Sequence, residues 1–238
     1  MKSYKVHKNF RKFLLNENAN SEGLCLYHKG EGKNYQRIII YKPVPFNSNI
    51  SYEDWLHRVY VDTVIVAAIS FQNTETVLNE PCIPETFYID AIHTHKNYEG
   101  QGFQKLLMDC AFYVLGKDGK GLTSDQHTGT KHRAERAWDK IEKSSKYEKR
   151  KTKKGNDEFD YSGATPDDPD DDCSMPMKFP ATMHSFQKKS PSDGKTQYET
   201  LKSNHDFFCE DLGYNKSTFE NLLKNRSRED FRVRYSGY

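Results

Sequence analysis

Between Thr86 and Leu115 the hydrophobic pattern changes period across a turn that holds two glycines, which restricts this part of the chain to a strand, a turn and a helix. Residues 86–94 alternate aromatic or branched side chains with others, as a central strand of a covered sheet does. Gly100 and Gly102 punctuate its end, and Phe103, Leu106, Leu107, Cys110, Ala111, Val114 and Leu115 then recur at the spacing of one helix face. A helix start leaves backbone N–H groups unpaired beside the positive end of the helix dipole. Glycines there remove the Cβ atoms that would hold an anion away from the backbone, and Lys105 adds a charge in the first turn. Residues 98–104 therefore read as a phosphate-binding loop.

The surrounding sequence supplies a sheet for this unit. Residues 61–71, rich in valine and isoleucine, read as a second central strand, and residues 24–27 and 35–41 as a hairpin turning at Gly30, Glu31 and Gly32 and stopped by Pro43 and Pro45. Ser51 precedes a carboxylate by three residues, which starts a short helix through Trp55, Leu56 and Val59. An amphipathic helix is expected over residues 6–15. After the glycine turn, residues 121–125 read as a strand and residues 131–146 as a helix burying Ala134, Ala137, Trp138 and Ile141. The fold class expected is α/β (α+β), a central mixed sheet flanked by helices. Residues 1–148 form its core, residues 149–177 a charged insert or linker, and residues 178–238 a helical C-terminal extension. Within the insert, Phe159, Asp160 and Tyr161 are a candidate edge strand. Tyr198, Leu201, Phe208 and Leu212 mark one C-terminal helix, and Phe219, Leu222 and Leu223 a second that begins near Ser217 and Thr218.

Charge and cysteine usage exclude several classes. A formal net charge of +2 over 238 residues gives nucleic acid no support by itself. A basic run with Lys146, Lys149, Arg150, Lys151, Lys153 and Lys154 is followed by an acidic run that includes Asp167, Asp168, Asp170, Asp171 and Asp172. The five cysteines are scattered, with no pair at zinc-ligand or redox spacing, so no metal site is expected and reduced thiols in the cytoplasm are. The N-terminus lacks the apolar stretch of a secretory signal, and the longest apolar run is far too short to span a bilayer, so no membrane association is expected.

The turn does not open a dinucleotide-binding βαβ unit, and it lacks the Gly-Lys-Ser/Thr of a nucleotide-triphosphate loop. What residues 87–103 resemble is the central strand and acyl-CoA pyrophosphate turn of the GNAT N-acetyltransferase superfamily, usually Q/R-x-x-G-x-G/A. Residues 106–108 resemble the helix that follows, and residues 121–138 the next strand and helix. The resemblance covers roughly residues 60 to 145 and implies an acyl-CoA, most simply acetyl-CoA, as cofactor. It implies that amides around Glu99, Gly100, Gln101, Gly102, Phe103, Gln104 and Lys105 bind pyrophosphate, and that the strand edge from Ile92 to Thr94 pairs with the pantetheine amides where two neighbouring strands splay. Three positions depart from the family pattern: Glu99 stands for its Gln or Arg, Gln104 for a third small residue, and Trp138 for a tyrosine that many members use to protonate the departing thiolate.

Acyl transfer to an amine requires a base near the splay, and Asp90, His93, Asp125 and His127 are the candidates. His93 and His95 share a face if the strand continues past Thr94. The expected activity is acyl-CoA-dependent N-acyl transfer, most simply acetyl transfer, to an unidentified amine of a protein or small molecule. Two alternatives stand beside it: a nucleic-acid-modifying relative resembling the phage adenine-modification proteins of the Mom type, motivated by the basic run with Tyr147, and a GNAT-fold interaction protein without catalysis, motivated by Trp138.

Overall fold

The computed structural model describes residues 23–31, 34–47, 49–73, 86–115, 121–124, 138–149 and 185–235. The expected helix over 6–15 and the candidate strand at 159–161 lie outside them, as do Asp125, His127 and residues 131–137. The strands are β1 (Cys25–Glu31), β2 (Tyr35–Lys42), β3 (Val64–Asn73), β4 (Thr86–Thr94), β5 (Gly121–Thr123), β6 (Tyr147–Lys149) and β7 (Ser185–Lys188). The helices are α1 (Tyr52–Asp62), α2 (Phe103–Leu115), α3 (Lys195–Leu212) and α4 (Lys216–Tyr235), and residues 138–142 add a short helical segment. The sheet is mixed, in the order β1-β2-β3-β4-β5-β7-β6. β3 and β4 are antiparallel, β4 and β5 parallel, and β7 runs antiparallel to both of its neighbours.

The chain divides into two compact units, one holding residues 39–66 and 198–238 with the N-terminal 27 residues, the other residues 28–38 and 67–197.

In the first unit α1 begins as its sequence demands: Ser51 Oγ accepts the Asp54 N–H at 3.0 Å and donates to the Asp54 carboxylate at 2.7 Å. Ser51→Ala is expected to cost about 1 kcal/mol, checked by thermal melting of the variant. The opposite end of α1 has no basic residue in its last turn. Arg226 of α4 supplies the cation, donating to the carbonyls of Tyr60 and Thr63, groups that a helix terminus cannot satisfy internally. The core is aromatic. Trp55 meets Phe46 at 5.3 Å and Phe208 at 6.0 Å, Tyr41 meets Phe219 at 5.5 Å, and Phe208 meets Phe219 at 5.3 Å. A polar group sits within this packing: Tyr41 Oη lies 2.8 Å from Nδ1 of the buried His205. Burial pulls the His205 pKa down to about 4 and pushes the Cys209 thiol up to about 12.

The second unit packs α2 against the parallel pair. Phe103, Leu107, Cys110, Ala111 and Leu115 are buried, the same stripe that the periodicity marks. Phe112 meets Tyr147 of β6 at 5.3 Å, and Trp138 stacks on Phe186 of β7 with centroids 5.8 Å apart and planes 17° from parallel. The 3-10 turn Pro191–Gly194 lies so close to α2 that a Cβ on Gly194 would collide with the Asp109 carbonyl. Asp109 collects three donors: Lys105 from its own helix, Tyr147 Oη at 3.0 Å and Lys188 Nζ at 2.8 Å.

Several elements differ from expectation for identifiable reasons. β1 continues through Gly30 and Glu31, so the hairpin turns later than Gly30. The capped helix α1 extends to Asp62 and takes Val61, leaving β3 to start at Val64 and run to Asn73. The helix expected up to residue 146 stops at 142, because residues 147–149 pair with β7 across Tyr147↔Lys188 and Lys149↔Phe186. α4 begins at Lys216, directly after the 3-10 turn Gly213–Asn215.

Candidate functional site

β4 carries the site, and its two edges differ. On one side it pairs with β3 along its length, from Asn73↔Phe87 to Ala67↔Thr94. On the other, among the described residues, β5 matches it only at Thr86, Phe87 and Tyr88. The two parallel strands thus share a register at their start, while β4 continues to Thr94. Ile92 and Thr94, two of the expected cofactor contacts, are half-buried on this outlying stretch.

The register also sets Asp90 apart. Ser70 faces Ala91 and Phe71 faces Ile89, so Asp90 is an extra residue in β4, a bulge that turns its side chain out of the alternation. The exposed Asp90 carboxylate accepts a hydrogen bond from Ser70 Oγ at 3.1 Å, while Ser70 itself is fully buried. His93 is buried opposite Ala68. β4 ends at Thr94, so His95 does not share a strand face with His93. Its Nδ1 instead accepts the Asn97 N–H at 3.2 Å and caps the 3-10 turn Lys96–Tyr98.

That turn leads into the glycines. Gly100 and Gly102 hold φ of 77° and 87°, left-handed values that side-chain-bearing residues adopt at a cost, and a Cβ at either would meet nothing within 4 Å. Space is open in front of both. Glu99 is exposed and its N–H bonds back to the Lys96 carbonyl at 3.4 Å, while the exposed Gln101 ties its side-chain amide to the Asn97 carbonyl at 3.1 Å. Phe103 is buried edge-on to Tyr98, with centroids 5.8 Å apart, which anchors the start of α2. The first helical bond runs from Leu106 N to Gly102 O at 3.0 Å, so the amides of Phe103, Gln104 and Lys105 come before the ladder. Lys105 behaves differently from the sequence-based expectation: its ammonium is drawn one turn along α2 to Asp109 and does not stand alone beside the glycines.

The structure thus brings Asp90, Ile92, His93 and Thr94 onto one strand and residues 99–105 to its end. Ser70, which the sequence reading missed, joins them from the neighbouring strand; a serine twenty positions earlier carries no local signal of that contact. Trp138 is buried in its stack on Phe186. Among the described residues no helix is long and apolar enough to cross a membrane. No protein-family model matches the chain, and no curated protein matches it.

Proposed function

We propose that this chain is an acyl-CoA-dependent N-acyltransferase, with acetyl-CoA as the simplest donor. The observation that carries this reading is the combination on β4 of an edge that, among the described residues, extends beyond the register of its parallel neighbour and a wide glycine turn opening onto the first amides of α2. Pyrophosphate is anionic and suits those amides and the positive helix end. The pantetheine arm carries amides of its own and suits a strand edge such as that from Ile92 to Thr94.

The chemistry asked of the protein is modest. The amine nitrogen attacks the thioester carbonyl, the carbon–sulfur bond breaks, and one proton passes net from the amine to the departing thiolate. Asp90, positioned by Ser70, and His93 are the described basic groups on this stretch, and either can take the amine proton directly or through water. Trp138 supplies no acid, because an indole N–H does not ionise at useful pH. Its burial also favours the second reading, a protein that keeps the fold and binds a partner without turnover.

Calorimetry of acetyl-CoA against the wild type, Gly102→Glu and Gly102→Asn tests the site. Asparagine tolerates positive φ and adds no charge, whereas glutamate places a carboxylate where the pyrophosphate would sit. Wild-type and Asn proteins are expected to bind, and the Glu protein to lose at least about 100-fold in affinity. Absence of wild-type binding at millimolar ligand sinks the acyltransferase reading; binding without transfer to any of a panel of amines moves it to the second.

A further inference from the structure

Within the first unit, α3 and α4 face each other through three side chains whose atoms bind transition metals. His205 and Cys209 are four residues apart on α3 and so share a face, and Glu220 comes from α4 beyond the 3-10 turn. One donor atom from each lies within 4.8 Å of the others. His205 Nε2 is 3.5 Å from Glu220 Oε1 and 3.5 Å from Cys209 Sγ.

The nitrogen–oxygen separation is long for a hydrogen bond, whereas the nitrogen–sulfur one is an ordinary contact for sulfur. An N–H···O bond has its optimum at roughly 2.7–3.2 Å, so the imidazole and carboxylate are not in good hydrogen-bond contact. Around zinc, with bonds of about 2.0–2.3 Å at tetrahedral angles, a nitrogen and an oxygen stand roughly 3.4 Å apart and a nitrogen and a sulfur roughly 3.5 Å. Both observed distances match edges of such a tetrahedron.

The second ring nitrogen is already held. Nδ1 lies 2.8 Å from Tyr41 Oη. From this contact we assign the tautomer with the proton on Nδ1, donated to Tyr41 Oη. Nε2 is then the ring nitrogen left for a metal, 3.5 Å from both Glu220 Oε1 and Cys209 Sγ, and the same sulfur lies 3.8 Å from Nδ1. An outer partner that fixes ring orientation and tautomer is what a metal-binding histidine requires.

We infer that His205 Nε2, Cys209 Sγ and the Glu220 carboxylate bind one divalent ion of the zinc class and that this ion joins α3 to α4. The mixed nitrogen, sulfur and oxygen set suits zinc, with water in the fourth position. On binding, the metal–sulfur bond replaces the S–H bond of Cys209, and that proton leaves to solvent. Lys216 competes for the same carboxylate, its Nζ lying 3.8 Å from Glu220 Oε1.

Cobalt(II) alone is the probe, titrated into chelator-treated full-length protein that carries Cys82→Ser and Cys173→Ser to remove the thiols outside the described residues. About one equivalent per chain is expected to raise a thiolate-to-cobalt charge-transfer band that zinc then bleaches. Cys209→Ser removes the band, and Lys216→Gln tightens binding. Tyr41→Phe keeps the band but weakens binding by about 10- to 100-fold. Because Cys209 is buried and its variant can fail to fold, Glu220→Gln gives a second reading at a half-buried position and is expected to weaken cobalt binding with the band retained. The inference is overturned by a missing thiolate band at excess cobalt, by a band that survives Cys209→Ser, or by affinities unchanged in both Tyr41→Phe and Glu220→Gln.

Discussion

Asp109→Ala is expected to destabilise the protein by about 3–5 kcal/mol, because it strands a buried cation. Lys188 has a side chain only 2% exposed, its ammonium 2.8 Å from an Asp109 carboxylate that is itself 14% exposed. Asp193, the other acid in reach, stands at 3.8 Å and is more open to solvent, so it is a weak replacement. Lys188→Met removes the charge that needs a partner while leaving Asp109 with Lys105 and Tyr147, and should cost clearly less. Combining Lys188→Met with Asp109→Leu should recover much of the loss, since apolar replacement of a buried pair is often neutral. Urea denaturation of the wild type, both single variants and the pair completes the cycle. A cost for Asp109→Ala within about 0.5 kcal/mol of zero, the range of ordinary surface changes, would show that water reaches Lys188.

The same carboxylate makes stability depend on acid. Burial acts to raise the Asp109 pKa, but the hydrogen bonds and charges of Lys105 and Lys188 outweigh it and leave the pKa below the usual carboxylate value. A folded-state pKa below the unfolded one stabilises the fold at every pH above the unfolded value, roughly 3.9, and this contribution disappears as pH falls through the folded value. The gap between wild type and Asp109→Asn should therefore be constant from neutral pH down to about 5 and narrow below 4.

Trp55→Ala is expected to cost about 3–5 kcal/mol in the first unit. Trp55 is fully buried among Phe46, Tyr52 and Phe208, and its indole N–H donates to the Val44 carbonyl at 3.2 Å. Truncation therefore opens a large cavity and removes a buried hydrogen bond together. Trp55→Phe keeps most of the packing and loses only the donor, at about 1–2 kcal/mol. The measurement is favoured by composition: the chain has two tryptophans, Trp55 in the first unit and Trp138 in the second. In Trp55→Ala the remaining fluorescence reports the second unit, so circular dichroism and fluorescence melts should separate if the damage stays local. A Trp55→Ala melt indistinguishable from wild type would contradict the packing described.

Where one segment of chain decides its own structure, the sequence was readable. α2 has an apolar stripe and a glycine turn before it, and β4 has a long run of strand-forming residues, so both were bounded correctly from the residues alone. β6 and β7 were missed because three or four polar-leaning residues, Tyr-Glu-Lys and Ser-Phe-Gln-Lys, carry too little period to mark a strand; each exists through its pairing with distant chain. The bulge at Asp90 does not show in a hydrophobic pattern, because one added residue leaves its neighbours equally apolar. Asp109 read as an ordinary surface acid of α2, since its partners Tyr147 and Lys188 come from β6 and β7. Cysteine spacing likewise gave no hint of His205, Cys209 and Glu220 meeting, because the set contains a single cysteine and spans two helices.

The order of strands has a consequence for the nascent chain. β7 lies between β5 and β6, although it follows both in the sequence. Until residues 185–188 are made, β5 has no neighbour on its outer side among the described residues, and β6 has none in the sheet. The first unit waits longer, because residues 39–66 share it with α4, near the end of the chain. An unpaired strand edge is adhesive towards other chains, so a chain cut off between β6 and β7 is expected to aggregate.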